Sequence, residues 1–244
     1  RGGGAARYSR CRLDMSVRAA GAALVLPALL GVTSGQLDSQ YVLQRYASAL
    51  AALGTPKTVV YSYTVSQVGP ANIEQHHRVY RSGLDVRDET LSVDGMGLRR
   101  KIVRFSHRED RYAAGRFAPH ADAYELLFLG TVRDGHHLDY VYEATPVSRP
   151  SGAWIDRVTI DGANFLPRAV HFHSAGLDVQ GNGEIEFGPF GKYWMPIVAA
   201  AEARVKGKPA SERITWSDYR FPESLPPSTF QPPEPLPHAT LPPM

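Results

Sequence analysis

The chain has 244 residues, of which 43% are apolar, 21% charged and 10% aromatic; this suffices for one domain with a core and excludes wholesale disorder. Its one cysteine, Cys11, excludes a disulfide framework, a cysteine-based zinc site and a CxxC redox pair. The formal charge of +3 belongs to the leader: the first 35 residues hold five of the 27 basic side chains and one of the 24 acidic ones, so the remainder carries a net −1 and electrostatic nucleic-acid binding loses its support.

In chain order, Met15 opens a short basic stretch, followed by an apolar run from Ala19 to Val32 and a small-residue exit at Thr33-Ser34-Gly35. This is the layout of a secretory signal peptide, and Pro27 interrupts a run already too short to span a bilayer. Residues 1–35 are therefore read as leader and signal, with 1–14 upstream of the true start, and the protein as exported to the periplasm. Residues 37–53 read as an amphipathic helix. Leu37, Tyr41, Leu43, Tyr46, Ala47, Leu50 and Leu53 fall near one face, Asp38 or Ser39 is the cap, and Gly54 and Pro56 are the stop. From Val59 the period changes to two, and strand-like runs follow at 73–81, 84–93, 98–107, 111–117, 137–145, 154–161, 166–174, 177–187, 193–206 and 211–221. Ser82-Gly83, Asp94-Gly95, Asp134-Gly135, Asp161-Gly162 and Asn182-Gly183 supply the turn chemistry between them. Short strands with turn signals mean antiparallel β. One interruption, 120–129 with its apolar bulk at 121–129, reads as a second short helix between Pro119 and Gly130. From Pro222 onward, nine of the 19 prolines fall in the last 23 residues, a tail expected to be extended or disordered. Residues 36–221 are read as one domain and 222–244 as the tail.

Chemistry-bearing motifs are sparse. The sequence has no GxSxG elbow, no phosphate-cradling glycine loop followed by lysine and no HExxH, so no enzyme activity is expected. His171 and His173 lie two apart on one strand and share a face, while His76-His77 and His136-His137 are adjacent pairs suited to zinc or copper if they converge. Val170 and Phe172 occupy the opposite face of that strand, which makes the histidines its solvent side, and neither a metal nor a cofactor is expected. Asp88-Glu89, Glu109-Asp110 and the pair Glu184 and Glu186 read as solvated carboxylates, and Arg99-Arg100-Lys101 with Arg104 as a solvated strand edge. The remaining inventory is aromatic and branched. Composition alone favours a packed core, whereas one open sheet covered by two helices leaves an apolar cavity.

The order of elements resembles the LolA-like outer-membrane lipoprotein-sorting family. The residues that carry the resemblance are Val79-Tyr80-Arg81-Ser82-Gly83, Tyr142-Glu143-Ala144-Thr145-Pro146, Trp154 to Ile160 with Leu166-Pro167, and the terminal phrase Leu225 to Pro233. The match covers roughly 37–233. It implies a mainly antiparallel, incomplete β-barrel whose helical lid closes over an apolar cavity that receives acyl chains. The cavity residues are then Leu43, Leu50, Tyr61, Tyr63, Val79, Phe105, Tyr124, Leu127, Phe128, Leu138, Tyr140, Tyr142, Val158 and Phe172, and the arginine that ties the lid shut maps onto Arg81. The expected partner is a lipoprotein or lipid, carried by a monomer. The stretch from Gly191 to Arg213 is longer than in the carriers and is similar to the periplasmic sensor domain of envelope-stress regulators, which implies, alternatively, a module that binds an inner- or outer-membrane protein.

Overall fold

The computed structural model describes residues 38–70, 72–135, 137–148, 150, 152–175 and 179–232. The leader, Leu37, His136 and the end of the tail lie outside these residues. Helix α1 (Ser39–Ala52) begins where the Asp38 carboxylate accepts a hydrogen bond from the Gln40 amide at 2.9 Å. Val42, Tyr46 and Leu50, four apart, form its buried stripe. No described helix is long and apolar enough to cross a membrane.

Eleven strands follow: β1 (Thr58–Val68), β2 (Ile73–Ser82), β3 (Asp85–Val93), β4 (Met96–His107), then α2 (Ala114–Phe117), β5 (Tyr124–Asp134), β6 (His137–Pro146), β7 (Ala153–Asp161), β8 (Pro167–Ala175), β9 (Val179–Phe190), β10 (Tyr193–Val205) and β11 (Lys208–Arg220). They form one antiparallel sheet in the order β4-β3-β2-β1-β11-β10-β9-β8-β7-β6-β5. Hairpin turns explain most of this order. At Asp94-Gly95 both residues take positive φ, 49° and 76°, the backbone that a two-residue hairpin needs to match strand twist. The first strand then pairs with the last, β1 with β11, so β4 and β5 become the two free edges although they are consecutive in sequence. Residues 108–123 must therefore pass from one edge of the sheet to the other, and this crossover carries α2.

A cross-strand row marks the inward face. Tyr142 pairs with Val158, Val158 with Val170, Val170 with Ile185, Ile185 with Ala199, and Ala199 with Ile214, all buried. The crossover packs onto the same face. Phe117 meets Phe172 edge-on at 5.5 Å and lies 6.4 Å from Phe187, and Tyr112 meets Trp216 at 5.2 Å.

Four readings of the element pattern need correction. The expected helix over 120–129 gives way to strand β5 from Tyr124: Ala121, Tyr124, Leu127 and Phe128 fit a helix face, but Tyr124, Leu126 and Phe128 fit a period of two, and pairing with β6 satisfies their backbone. The expected strand over 111–117 is a turn followed by α2, since this stretch belongs to the crossover and has no strand beside it. Asn182-Gly183 lies inside β9 and makes no turn. A side chain at Gly183 would sit 2.7 Å from the Phe172 ring and 2.7 Å from the Ala200 carbonyl, so close approach of neighbours is what glycine provides there. Within the tail, Pro227–Phe230 forms a 3-10 turn instead of extended chain, and the Arg87 guanidinium on the outer face of β3 donates to the Thr229 carbonyl at 3.2 Å.

Candidate functional site

Two covers lie on the inward face, α1 and the crossover. Side chains fasten them through backbone carbonyls: the Tyr142 hydroxyl donates to Ser39 at 2.9 Å, and the Tyr46 hydroxyl donates to Pro119 at 3.0 Å. Burial pushes the Tyr142 hydroxyl up to about 12 and raises that of Tyr46 further, so both remain protonated donors at neutral pH.

The expected cavity residues separate into four groups. Leu43, Leu50 and Tyr124, joined by Tyr46, Ala47, Ala51, His120, Ala121 and Leu126, line an apolar cavity of about 210 Å³ between α1 and the start of β5. Tyr61, Tyr63 and Val79 line a second cavity of about 280 Å³ under the first residues of the crossover. Tyr140, Tyr142 and Val158 are buried in the packed core between, with Phe128, Leu138 and Phe172 packed against it. Phe105 and Leu127 are corrections. Phe105 points to the outer face, where the Arg87 guanidinium lies 6.0 Å from its ring, because its register partner Arg87 alternates with inward Val86 and Asp88. Leu127 is 65% exposed, since the strand period turns it away from Leu126 and Phe128.

The second cavity is polar, unlike the expected apolar wall. The Tyr63 hydroxyl donates to Asp88 at 2.7 Å, His77 Nδ1 lies 2.9 Å from the other Asp88 oxygen, and the Tyr63 and His77 rings stack at 4.5 Å. Arg104, Asp110, Arg111 and Glu212 complete its wall. Burial, then the Asp88 charge and hydrogen bond, hold the Tyr63 hydroxyl well above its ordinary value, and burial followed by the charge of Asp110 does the same for Tyr61. Asp88 and Glu89 are also corrected. They point to opposite faces and neither is a solvated surface carboxylate: Glu89 is 2% exposed and is held by Arg87 at 2.6 Å and Lys101 at 2.9 Å.

Arg81 sits at the rim of the polar cavity and is 8% exposed. Its Nη1 donates to the Arg108 carbonyl at 2.7 Å, and its Nε lies 4.0 Å from Asp110. Both partners are on the first residues of the crossover. Replacing Arg81 with Leu removes a charge-assisted bond of about 1.5–3 kcal/mol, so amide exchange should accelerate over 108–113 while the sheet remains protected. Unchanged exchange in that segment would show that Arg81 does not restrain the crossover.

On the outer face, His171 and His173 meet a residue the sequence did not single out. Asp156 lies within 4.8 Å, ligand atom to ligand atom, of both imidazoles. Burial alone raises this carboxyl, but hydrogen bonds and charge from His171 and His173 outweigh it and hold the group below its ordinary value of 3.8. No local sequence signal announces Asp156, because a bulge in β7 decides where it points.

No family model matches the sequence, and no curated protein matches it. Among solved structures, the chain is similar to a LolA superfamily protein from Nitrosomonas europaea, with 15% identity and a TM-score of 0.43 over 81% of this chain and 99% of that one. It is similar to a domain from Vibrio parahaemolyticus described as an outer membrane lipoprotein-sorting protein, with 14% identity and a TM-score of 0.43 over 79% and 97% of the two chains. A DUF1329 family protein from Desulfovibrio piger gives 11% identity and a TM-score of 0.43 over 79% and 96%.

Proposed function

We propose that this chain is an exported carrier that holds an acyl chain, or another lipid-like apolar chain, between α1 and the inward face of the sheet. The observation that carries the reading is the apolar gap of about 210 Å³ under α1, lined by leucine, alanine and tyrosine side chains. It is smaller than the roughly 300 Å³ at which ligand cavities usually begin, so loading requires α1 to move outward. Two side-chain bonds to backbone carbonyls, from Tyr142 and Tyr46, are the hydrogen bonds to be broken. Each buried methylene then returns about 0.8 kcal/mol, enough over several carbons to offset those losses.

A photoactivatable fatty acid tests the location. Its label is expected on peptides containing Leu43, Leu50, Tyr124 or Leu126, and labelling confined to the outer face would overturn the proposal. Export is part of the same reading, and mass analysis of the secreted protein should find its N-terminus near Gly35 or Gln36. An exported chain still carrying Met15 would contradict it.

A second reading, a module that binds a membrane protein, is favoured by one observation. The edge strand β5 exposes Leu127, Leu129 and Val132, apolar side chains beside unpaired backbone. A partner strand adding to β5 would bury them, and Leu127→Glu would then abolish capture of the partner while leaving acyl binding intact.

A further inference from the structure

Strands β7 and β8 pair Ile155 with Phe172 and Arg157 with His171, so two steps along β7 match one step along β8 and Asp156 is the extra residue of a bulge. Bulges re-aim a side chain. Here the carboxylate reaches two imidazoles at once: Asp156 Oδ1 lies 2.5 Å from His171 Nδ1, and Oδ2 lies 2.8 Å from His173 Nε2. The histidines alternate with buried Val170 and with Phe172, which fixes them on the outer face. Trp154 stacks on the His173 ring at 5.1 Å and 20°, so that ring is held in place by a neighbour as well as by the carboxylate.

We propose that Asp156, His171 and His173 form a binding site for a divalent transition-metal ion of the zinc, nickel or copper class. Without the ion, each imidazole nitrogen facing the carboxylate carries its ring proton. Moving that proton to the other ring nitrogen leaves the imidazole neutral and turns the facing nitrogen into a lone-pair donor. No proton need leave the protein, and no redox change is involved. Two nitrogens and one carboxylate oxygen then converge on one point, the donor set of borderline ions, whereas calcium and magnesium require oxygen ligands. All three donor atoms lie within 4.8 Å of one another, so small side-chain rotations bring each to about 2.0–2.2 Å from a common centre.

The surrounding charge is mixed. Arg157 neighbours the site, and its register partners include Glu143 on β6, while His171 pairs with Glu184 on β9. Next to the three ligands, Glu143 and Glu184 flank one arginine, while Arg204 and Lys208 line the groove beyond with Glu202. Three protein ligands leave coordination positions open, and His173 with Trp154 also borders an open groove of about 1310 Å³ that continues past Asn182, Glu202 and Ser211. An ion held here has room for water or for a donor group from a molecule in that groove.

Titrating the full chain with ZnCl₂ by calorimetry, and with CuCl₂ by electron paramagnetic resonance, tests the site. One saturable equivalent is expected, with hyperfine coupling to two imidazole nitrogens in the copper spectrum. His171→Gln and His173→Gln should each weaken zinc binding at least tenfold and leave one coupled nitrogen, Asp156→Asn should weaken zinc while keeping both, and His76→Gln should change nothing. The copper spectrum of the unaltered protein is decisive even where a variant unfolds. No saturable binding, binding unchanged in the His171→Gln His173→Gln double variant, or a cobalt spectrum with the thiolate charge-transfer band of Cys11 would each overturn the proposal.

Discussion

Ile185→Ala is expected to cost about 2–5 kcal/mol, the range for truncating a fully buried branched side chain in a core that relaxes only in part. Ile185 is fully buried at the centre of the inward row, paired with Val170 on one side and Ala199 on the other. Relaxation has little room, because the crossover presses Phe117 onto the neighbouring Phe172 and Phe187 rings. Leu127→Ala is the matched control: it removes comparable apolar bulk from a side chain that is 65% exposed and should cost no more than about 0.5 kcal/mol. Urea unfolding of both variants separates the two faces of the sheet. Equal losses would mean that 120–129 is the helix its sequence suggests, with Leu127 facing inward.

Glu89→Ala should be the most damaging change to a charged residue. The carboxylate is buried on the outer face with Arg87 at 2.6 Å and Lys101 at 2.9 Å, and Arg87 also holds the Thr229 carbonyl. Removing the carboxylate leaves an arginine without its counter-charge against Tyr80 and Phe105. Breaking a buried pair in this way costs roughly 3–5 kcal/mol, and the lower end applies because the Arg87 and Lys101 side chains are 27% and 54% exposed. The tail should loosen as well, so proteolysis between Pro222 and Pro232 is expected to accelerate in the variant. A stable Glu89→Ala protein with a protected tail would show that the network contributes little.

The hairpins, the amphipathic first helix and most strands were legible because each is set by local chemistry: alternation in Val59 to Val65, a cap at Asp38, and glycine after Asp94. The antiparallel β class follows from those same signals, whereas the incomplete barrel was implied only by the family resemblance. What was not legible depends on distant partners. The run Tyr124 to Leu129 fits both periods, and only pairing with β6 decides between them. The crossover is a consequence of β1 meeting β11, which no local pattern announces. Within the candidate site, Leu43 and Leu50 line the gap from the helix face read in the sequence and Tyr124 lines it from a strand instead of the expected helix, whereas the polarity around Tyr63 was missed. It depends on register, which sets His77 opposite Tyr63 and Asp88 opposite Val79. Asp156 was missed for a related reason, since a bulge shifts a side chain without changing the composition around it.

Calorimetry of palmitate binding to cleanly delipidated protein tests the carrier reading most directly, with Ala144→Trp beside the unaltered chain. Ala144 is buried, pairs with Leu126, and lies next to the apolar cavity, so added bulk fills the space an acyl chain would take. The account predicts saturable binding of palmitate with a raised unfolding temperature, and a larger loss in Ala144→Trp for palmitate than for a short-chain acid. No heat and no thermal shift in the unaltered protein, with Ala144→Trp losing only stability through overpacking, would contradict it and leave a packed core.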